Sequence, residues 1–237
     1  EEGAVVFNFP DPDPVPPPIM QFENVSFAYT KGHPIIRNAD FSVDSDSRIA
    51  LVGANGCGKT TLLKLLVGEL EPSSGLVKRS GKVRVGLFTQ HFVDQLDLKV
   101  SAVEYFQREF PGTSAQDART QLGRFGITGD TPLQTLNTLS GGQKSRVVFA
   151  LIAARKPHVL LLDEPSNHLD IETIEGLAQS LTTYQGGVLM VSHDQRLISL
   201  VCDEVWVIEN QTVTRWKGDV LSYRKHLESN MTFTIAK

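Results

Sequence analysis

The stretch of sequence that decides the fold is residues 53–61, which read GANGCGKTT. It matches the phosphate-binding pattern G-x-x-x-x-G-K-[ST]: glycines let backbone N–H groups surround phosphate oxygens, Lys59 supplies a positive charge, and the Thr60 hydroxyl binds Mg²⁺. The apolar run Arg48–Val52 predicts a buried strand before it, and Lys59–Val67 predicts a helix after it, whose N-terminus favours anions. The loop therefore predicts a nucleoside triphosphate site, with contacts from Gly53, Ala54, Asn55, Gly56, Cys57, Gly58, Lys59, Thr60 and Thr61.

A second motif whose residue types suit catalysis is VLLLDEP, at residues 159–165. Four apolar residues predict a buried strand, and Asp163 at its carboxyl edge can reach the shell of a bound Mg²⁺. Glu164 follows directly and is expected to orient or deprotonate an attacking water. The alternative is that the two acids only cap the following helix, an interpretation that the nearby phosphate loop disfavours.

A third motif, LSGGQ at residues 139–143, runs into a helical pattern that extends to about Ala154. A helix N-terminus rich in glycine is a second arrangement suited to phosphate, although a bare pentapeptide of this kind is also compatible with a simple N-cap. One nucleotide does not need two such cradles in one domain, which indicates that this one serves a neighbour's nucleotide. The nucleotide-binding residues expected here are Ser140, Gly141, Gly142 and Gln143.

Strand and helix patterns alternate along most of the chain, which predicts an α/β fold with a mostly parallel core sheet. Residues 75–78 and 82–88 are expected to form a further β-pair. Helical spacing starts at Ser101 and Ser114, both suitable N-caps, in an insert at about 91–138; with the next helix included, the helical subdomain spans about 91–155. Six of the twelve prolines lie in residues 10–18, so residues 1–20 are expected to be a linker or surface strap preceding a domain at 21–237.

Composition limits the class of protein. The 237 residues are 41% hydrophobic and 21% charged, which is ordinary for a soluble globular chain. The formal net charge of −4 does not indicate a general nucleic-acid binder, but it leaves a local basic face open. No apolar run approaches the roughly 20 residues of a membrane span, the start lacks the basic region of a signal peptide, and Cys57 and Cys202 do not make a disulfide framework. We therefore expect a cytoplasmic protein without an integral membrane segment, and the missing initial Met indicates a piece of a longer chain.

The order of these motifs resembles that of ATP-binding cassette domains, in which LSGGQ precedes the strand that carries the two acids. Other segments match in register. Tyr29 resembles the aromatic residue that stacks on adenine, Gln90 in GLFTQHF resembles the glutamine that touches Mg²⁺ and the attacking water, and His193 in VLMVSHD resembles the histidine that contacts the γ-phosphate. Residues 166–170, SNHLD, resemble the loop that meets the opposing subunit.

The resemblance implies a P-loop NTPase fold of the cassette type, with an antiparallel β subdomain and a helical subdomain beside the core sheet. It implies ATP and Mg²⁺ as ligands, with the ATP held head to tail between the phosphate loop of one cassette and the LSGGQ of another. The isolated chain would then have two half-sites and hydrolyse ATP slowly. The implied catalytic residues are Glu164, His193, Gln90 and Lys59, and the implied metal ligands are Thr60, Gln90 and Asp163.

The segment EPSNHLD further resembles the ABC-F family, whose members are soluble, carry two cassettes in tandem and act largely on ribosomes and translation. Three segments together resemble the C-terminal, second cassette of a eukaryotic ABC-F protein, of the general-control or the ribosome-biogenesis branch. They are FPDPDPVPPPIMQFENVSFAY at residues 9–29, SGGQKSRVVFA and GDVLSY. The chain departs from the usual pattern at Cys57 and at Ser166, neither of which removes a catalytic group. The implied partners are a second cassette, in tandem or as a homodimer, and the ribosome.

Two other functions stay open at this point. The chain could energise a membrane transporter, with Gln90 and the helical insert docking a separate membrane protein. It could also be a nucleotide-gated binding module in which hydrolysis is incidental, although the presence of both Glu164 and His193 counts against that.

Overall fold

The computed structural model describes residues 7–235, which form nine strands and eight α-helices. The strands are β1 (Met20–Phe27), β2 (Ile36–Val43), β3 (Arg48–Val52), β4 (Ser74–Arg79), β5 (Val85–Phe88), β6 (Val159–Asp163), β7 (Gly187–Val191), β8 (Glu204–Glu209) and β9 (Thr212–Arg215). The helices are α1 (Lys59–Val67), α2 (Gln90–Asp94), α3 (Ala102–Glu109), α4 (Ala115–Gly123), α5 (Gly141–Ala154), α6 (Ile171–Thr183), α7 (Gln195–Val201) and α8 (Val220–Ile235). None of the helices in residues 7–235 is long and apolar enough to cross a membrane.

The core is a six-stranded sheet in the order β5-β6-β7-β3-β8-β9, parallel except for the antiparallel pair β8–β9. The first four residues of β6 and all of β7 are buried, as expected for strands covered on both faces. Residue Ala50 of β3 pairs with Met190 on one side and Val205 on the other. The predicted α/β class with a mostly parallel core sheet is confirmed.

A separate antiparallel sheet has the order β2-β1-β4. It corrects the predicted pairing of residues 75–78 with 82–88: β4 pairs with β1, whereas β5 joins the parallel sheet beside β6. The reason lies at the start of β5. The backbone N–H of Arg84 donates to His158 Nδ1 at 2.9 Å, and the N–H of His158 donates to the Arg84 carbonyl at 2.8 Å. These bonds hold β5 alongside β6 instead of letting it fold back on β4.

Helix α1 lies between the two sheets and is buried along most of its length. Its residues Leu62, Leu63, Leu65 and Leu66 are each at most 2% exposed and belong to the same apolar cluster as strands of both sheets. At its C-terminal end, Arg79 of β4 donates to the carbonyls of Leu66 at 2.6 Å and Leu65 at 2.8 Å, two of the groups that a helix end leaves unpaired. Apolar contacts with both sheets and the Arg79 bonds at the C-terminal end thus hold the helix that begins at the phosphate loop.

The helices α2 to α5 form a second apolar cluster against the other face of the parallel sheet. The predicted N-caps are confirmed, since Ser101 Oγ accepts from the N–H of Glu104 and Ser114 Oγ accepts from the N–H of Asp117. Phe149 of α5 stacks on Phe88 of β5 with ring centroids 4.3 Å apart and an angle of 8°. This stack connects the helix that follows LSGGQ directly to the core sheet.

Candidate nucleotide-binding site

A cavity of about 700 Å³ lies at the carboxyl ends of β3, β6 and β7, where open α/β sheets bind their ligands. Most of the predicted nucleotide-binding and catalytic residues meet here. Those that line it are Tyr29, Asn55, Gly56, Gly58, Lys59, Thr60, Thr61, Asp163, Glu164 and His193. Gly53 and Ala54 line a smaller neighbouring cavity of about 270 Å³, which shares Lys59, Glu164 and His193 with the first.

The phosphate loop has a backbone that requires glycine at two of its positions. Gly53 has φ 157° and Gly58 has φ 115°. A Cβ on Gly53 would lie 2.6 Å from Cys57 Sγ and 2.6 Å from the Ile208 carbonyl oxygen. A Cβ on Gly58 would lie 2.9 Å from a side-chain carbon of Ile35. The loop is therefore packed closely enough to have one shape, and its N–H groups are pre-oriented for an anion.

The Lys59 ammonium group folds back over this loop. Its Nζ donates to the carbonyls of Gly53 at 2.6 Å and Ala54 at 3.0 Å and lies 4.0 Å from Cys57 Sγ. These carbonyls hold the positive charge above the start of α1, in the cavity that Lys59 lines. The charge and the helix N-terminus act together on the same ligand class, which is phosphate.

Two acids stand where β6 ends. Burial, and after it the charge of Glu164, raise the pKa of Asp163, while the charge of Lys59 acts in the opposite direction. Glu164 has a left-handed backbone with φ 49°, and its N–H donates to the Val191 carbonyl at 2.7 Å. This turn directs the two carboxylates into the same cavity.

His193 follows the neighbouring strand β7 and meets Glu164. The His193 backbone N–H donates to Glu164 Oε2 at 3.2 Å, and His193 Nε2 lies 3.3 Å from Glu164 Oε1. The histidine side chain is 72% exposed and that of the glutamate 22%. A carboxylate held in this way is oriented by one neighbour and open to a water on its cavity side.

Gln90 lies outside the lining of the cavity, at the first residue of α2. Because β5 pairs with β6 up to Phe88 and Leu162, Gln90, which comes shortly after β5, and Asp163, the last residue of β6, lie toward the same edge of the sheet. Gln90 Nε2 donates to Asp94 Oδ1 at 3.0 Å, and its buried Oε1 has no hydrogen-bond partner among the described residues. An unpaired buried amide oxygen fits a Mg²⁺ ion or its bound water. A cation would also offset the negative charge of Glu164, which after burial is the second cause of the raised pKa of Asp163. The residues present therefore fit Mg²⁺.

Tyr29 lies at the far side of the phosphate loop. Its hydroxyl is 3.1 Å from Thr61 Oγ1, its ring packs edge-on against Phe27 at 4.8 Å, and the residue is 60% exposed. The ring is thus fixed at both ends while one face is free to stack on a nucleobase.

The LSGGQ residues lie outside both cavities. Ser140 Oγ accepts from the Gln143 N–H at 3.1 Å, and Gln143 Oε1 accepts from the Ser140 N–H at 2.9 Å. Ser140 and Gly141 are exposed and Gly142 is half-buried, and the first N–H groups of a helix have no acceptor within the helix. The phosphate loop and the exposed LSGGQ helix start therefore lie at different places on the chain.

Sequence reasoning missed several residues of the cavity lining. Ile35 lies in the turn before β2, Asn167 lies three residues after Glu164, and Asp194 directly follows His193. Asn167 belongs to the SNHLD segment, so its place in the cavity lining was predictable from that motif. Ile35 carried no such signal, because only the folded chain brings it against Gly58.

The sequence of residues 36–167, more than half of the chain, matches the family described as ABC transporter. The chain belongs to this family, and its fold is that of an ATP-binding cassette domain. Two solved structures show the same fold. The first is the cassette MJ0796, a dimer in a post-hydrolysis state bound to ADP and Pi (TM-score 0.72, 21% identity, covering 84% of this chain and 98% of that one). The second is a bacterial Atm1-family ABC exporter with ATP bound (TM-score 0.73, 22% identity, covering 99% of this chain and 45% of that one).

Within the family, the chain is similar to F-family members. It is 52% identical to ABC transporter F family member 3 of Arabidopsis thaliana (94% of this chain, 32% of the relative). It is 48% identical to Protein GCN20 of Saccharomyces cerevisiae (96% and 30%) and 49% identical to ATP-binding cassette sub-family F member 3 of Mus musculus (96% and 32%). The chain spans about a third of the length of these curated relatives.

Proposed function

We propose that this chain is one ATP-binding and ATP-hydrolysing cassette of an ABC-F protein, and that it forms head-to-tail ATP sandwiches with a second cassette. The single observation that carries the proposal is the separation of its two anion-binding elements. The phosphate loop lines the cavity with Asp163 and Glu164, whereas Ser140 is exposed at a helix start outside that cavity. Two chains related by a two-fold axis would each supply what the other lacks.

The geometry supports the following assignment of roles. The loop N–H groups and Lys59 bind the phosphates, and Tyr29 stacks on adenine. Glu164 accepts a proton from the attacking water while His193, 3.3 Å away, keeps the carboxylate in position and reaches the γ-phosphate. A bound Mg²⁺ offsets phosphate charge; Thr60, Asp163 and Gln90 would hold it. The Ser140 hydroxyl and the N–H groups after it donate to the γ-phosphate of the opposing chain, which completes the site.

The work driven by this cycle is proposed from the relatives. Their similarity and the EPSNHLD segment favour a cytoplasmic protein that acts on ribosomes in translation, as the second cassette of a tandem chain. The alternative is a subunit that energises a membrane transporter, as the family description allows. Sedimentation of a closed, ATP-bound form of the longer protein separates these: recovery with ribosomal particles supports the first, and recovery with membranes supports the second.

The sandwich itself is tested by crossed complementation. Lys59→Met removes the phosphate-loop charge and Ser140→Arg blocks the LSGGQ start, so each protein alone should be nearly inactive as an ATPase. In a mixture, half of the dimers would pair the intact loop of one chain with the intact LSGGQ of the other, which restores about a quarter of the parent rate. A mixture as inactive as its components would contradict the sandwich, and a fully active single variant would contradict the assignment of that residue.

A further inference from the structure

Residues 7–19, named here the strap, contact three parts of the fold in succession. At the start, Phe7 and Phe9 are 4% and 5% exposed and lie against the helices. Both rings meet Phe125 after α4, at 5.5 and 5.1 Å, and Phe149 of α5, at 5.7 and 6.2 Å, in edge-on geometry. The backbone N–H of Asn8 donates to the Arg124 carbonyl at 3.1 Å. This end of the strap is therefore part of the helical cluster.

The middle of the strap is fixed to the parallel sheet and its loops. Asp11 Oδ1 accepts from the N–H of Gln185, just before β7, at 3.2 Å. Asp13 Oδ1 pairs with Arg84 Nη2 at 2.5 Å and lies 3.4 Å from His158 Nε2. These partners stand at the starts of β5, β6 and β7, so this part of the strap follows the amino edge of the sheet.

The last part of the strap reaches the antiparallel sheet. The N–H of Ile19 donates to Asp44 Oδ1 at 3.1 Å, and the Ile19 carbonyl accepts from the N–H of Ser80 at 2.9 Å. One continuous segment thus connects the helices to both sheets.

The position of α5 decides where LSGGQ is held. Phe149, which the strap contacts, lies nine residues after Ser140 on the same helix, about 13 Å along its axis. Lys59 begins α1, after the loop that follows β3, and Glu164 directly follows β6, so both are positioned by the core sheet. A contact that fixes Phe149 to that sheet therefore fixes the direction of the LSGGQ start relative to the phosphate loop.

We propose that the strap is a positioning device for α5: Phe7 and Phe9 hold this helix against the sheet and thereby pre-orient Ser140 for the nucleotide of an opposing cassette. The inference rests on the proposed function, since the direction of LSGGQ matters only where a second cassette presents ATP to it. Without the strap, α5 samples several orientations, and only the competent fraction closes on ATP, which weakens closure in proportion to that fraction.

Two kinds of variant test the strap, each in a Glu164→Gln background that keeps bound ATP intact. Phe9→Leu keeps an apolar side chain but loses the ring contacts to α5. The double change Asp11→Ala with Asp13→Ala releases the middle of the strap at two exposed positions, without altering the apolar clusters. Phe22→Leu is the matched control, because Phe22 is 1% exposed and packs on Phe41 in the antiparallel sheet.

The first measurement is hydrogen exchange of the backbone amides of residues 141–148, without nucleotide. Both strap variants should exchange about tenfold faster there than the parent, and Phe22→Leu should not. The second is the ATP concentration that gives half-maximal dimer in analytical ultracentrifugation, which should rise about tenfold in the strap variants alone. Binding of ATP to the chain's own phosphate loop, measured by fluorescent-nucleotide titration at low protein concentration, should stay unchanged.

The two proposals fail in different ways. Exchange within about twofold of the parent in both strap variants would overturn the strap inference, whatever nucleotide does. An unchanged dimer midpoint, or one that falls, would overturn the effect on closure. A parent that never dimerises with ATP, combined with faster exchange in the strap variants, would overturn the sandwich and still support the hold of the strap on α5.

Discussion

Replacement of Glu164 by glutamine isolates the proton-accepting role of this carboxylate. Glutamine keeps an oxygen that can accept from the backbone N–H of His193, which Glu164 now does at 3.2 Å, so the local geometry should be retained. A positioned general base contributes typically about 10²–10⁴-fold, which is roughly 2.7–5.4 kcal/mol of activation free energy. We therefore expect kcat for ATP hydrolysis to fall by about 10²–10⁴-fold while ATP affinity is kept.

The same substitution removes a negative charge beside Asp163, whose pKa is raised first by burial and then by Glu164. An acid whose pKa is higher in the folded than in the unfolded chain favours the fold at low pH, and this contribution is lost as the pH rises from the unfolded pKa through the folded one. Above the folded pKa of Asp163 the penalty is fully present, and loss of the Glu164 charge relieves part of it. The melting temperature of Glu164→Gln at pH 7 should therefore equal that of the parent or lie slightly above it.

The assay is phosphate release at saturating Mg·ATP, together with thermal unfolding of the same preparations. The control is Glu175→Gln, which removes a carboxylate from an exposed ion pair with Arg196 and should leave the rate within about twofold of the parent. If Glu164→Gln releases phosphate at the parent rate, the assignment of Glu164 as the base is wrong. If it is inactive but also melts well below the parent, the lost activity reflects damage to the fold, and the electrostatic reasoning is refuted.

Three further outcomes are expected. Burial raises the pKa of the Cys202 thiol to about 12, so at pH 8 it should resist iodoacetamide. The partly buried Cys57 should be alkylated and be protected by ATP; equal Cys57 rates with and without ATP, by peptide mass spectrometry, would contradict its coverage by bound nucleotide. Gly142→Ala would bring a Cβ to 3.0 Å from the His168 carbonyl oxygen, so ATP-driven dimerisation should weaken in ultracentrifugation while nucleotide binding to the monomer is retained. Tyr29→Ala should raise the Kd for a fluorescent ATP analogue by about tenfold and Tyr29→Phe by far less, because stacking needs the ring and not the hydroxyl; equal effects would contradict stacking.

The elements predicted best are those whose signals are contained in a few neighbouring residues. Strand Arg48–Val52, helix Lys59–Val67 and strand Val159–Asp163 have the bounds expected from their apolar runs. The N-caps Ser101 and Ser114 were predictable for the same reason, since each bonds to an N–H three residues later. Local chemistry decides these features, and the sequence displays it directly.

The features that were missed depend on contacts between distant residues. The choice of partner for β5 follows from the bonds of Arg84 with His158, which are 74 residues apart. A short turn between two strand patterns looks like a hairpin unless that contact is known. The proline-rich start is similar: its composition favours an extended shape, but only the folded chain brings Phe9 against Tyr184.

The LSGGQ glycines show that one residue type can satisfy two requirements at once. From the sequence, Gly141 and Gly142 are explained by the approach of phosphate. In the structure, a Cβ on either would also meet His168, at 3.2 Å from its Cβ and 3.0 Å from its carbonyl oxygen. His168 has a left-handed backbone with φ 65°, in the same tight turn in which the N–H of Asn167 donates to the Glu164 carbonyl at 3.3 Å. Because this turn packs against LSGGQ at one end and carries Glu164 at the other, we expect a shift of Glu164 on ATP binding to move LSGGQ as well.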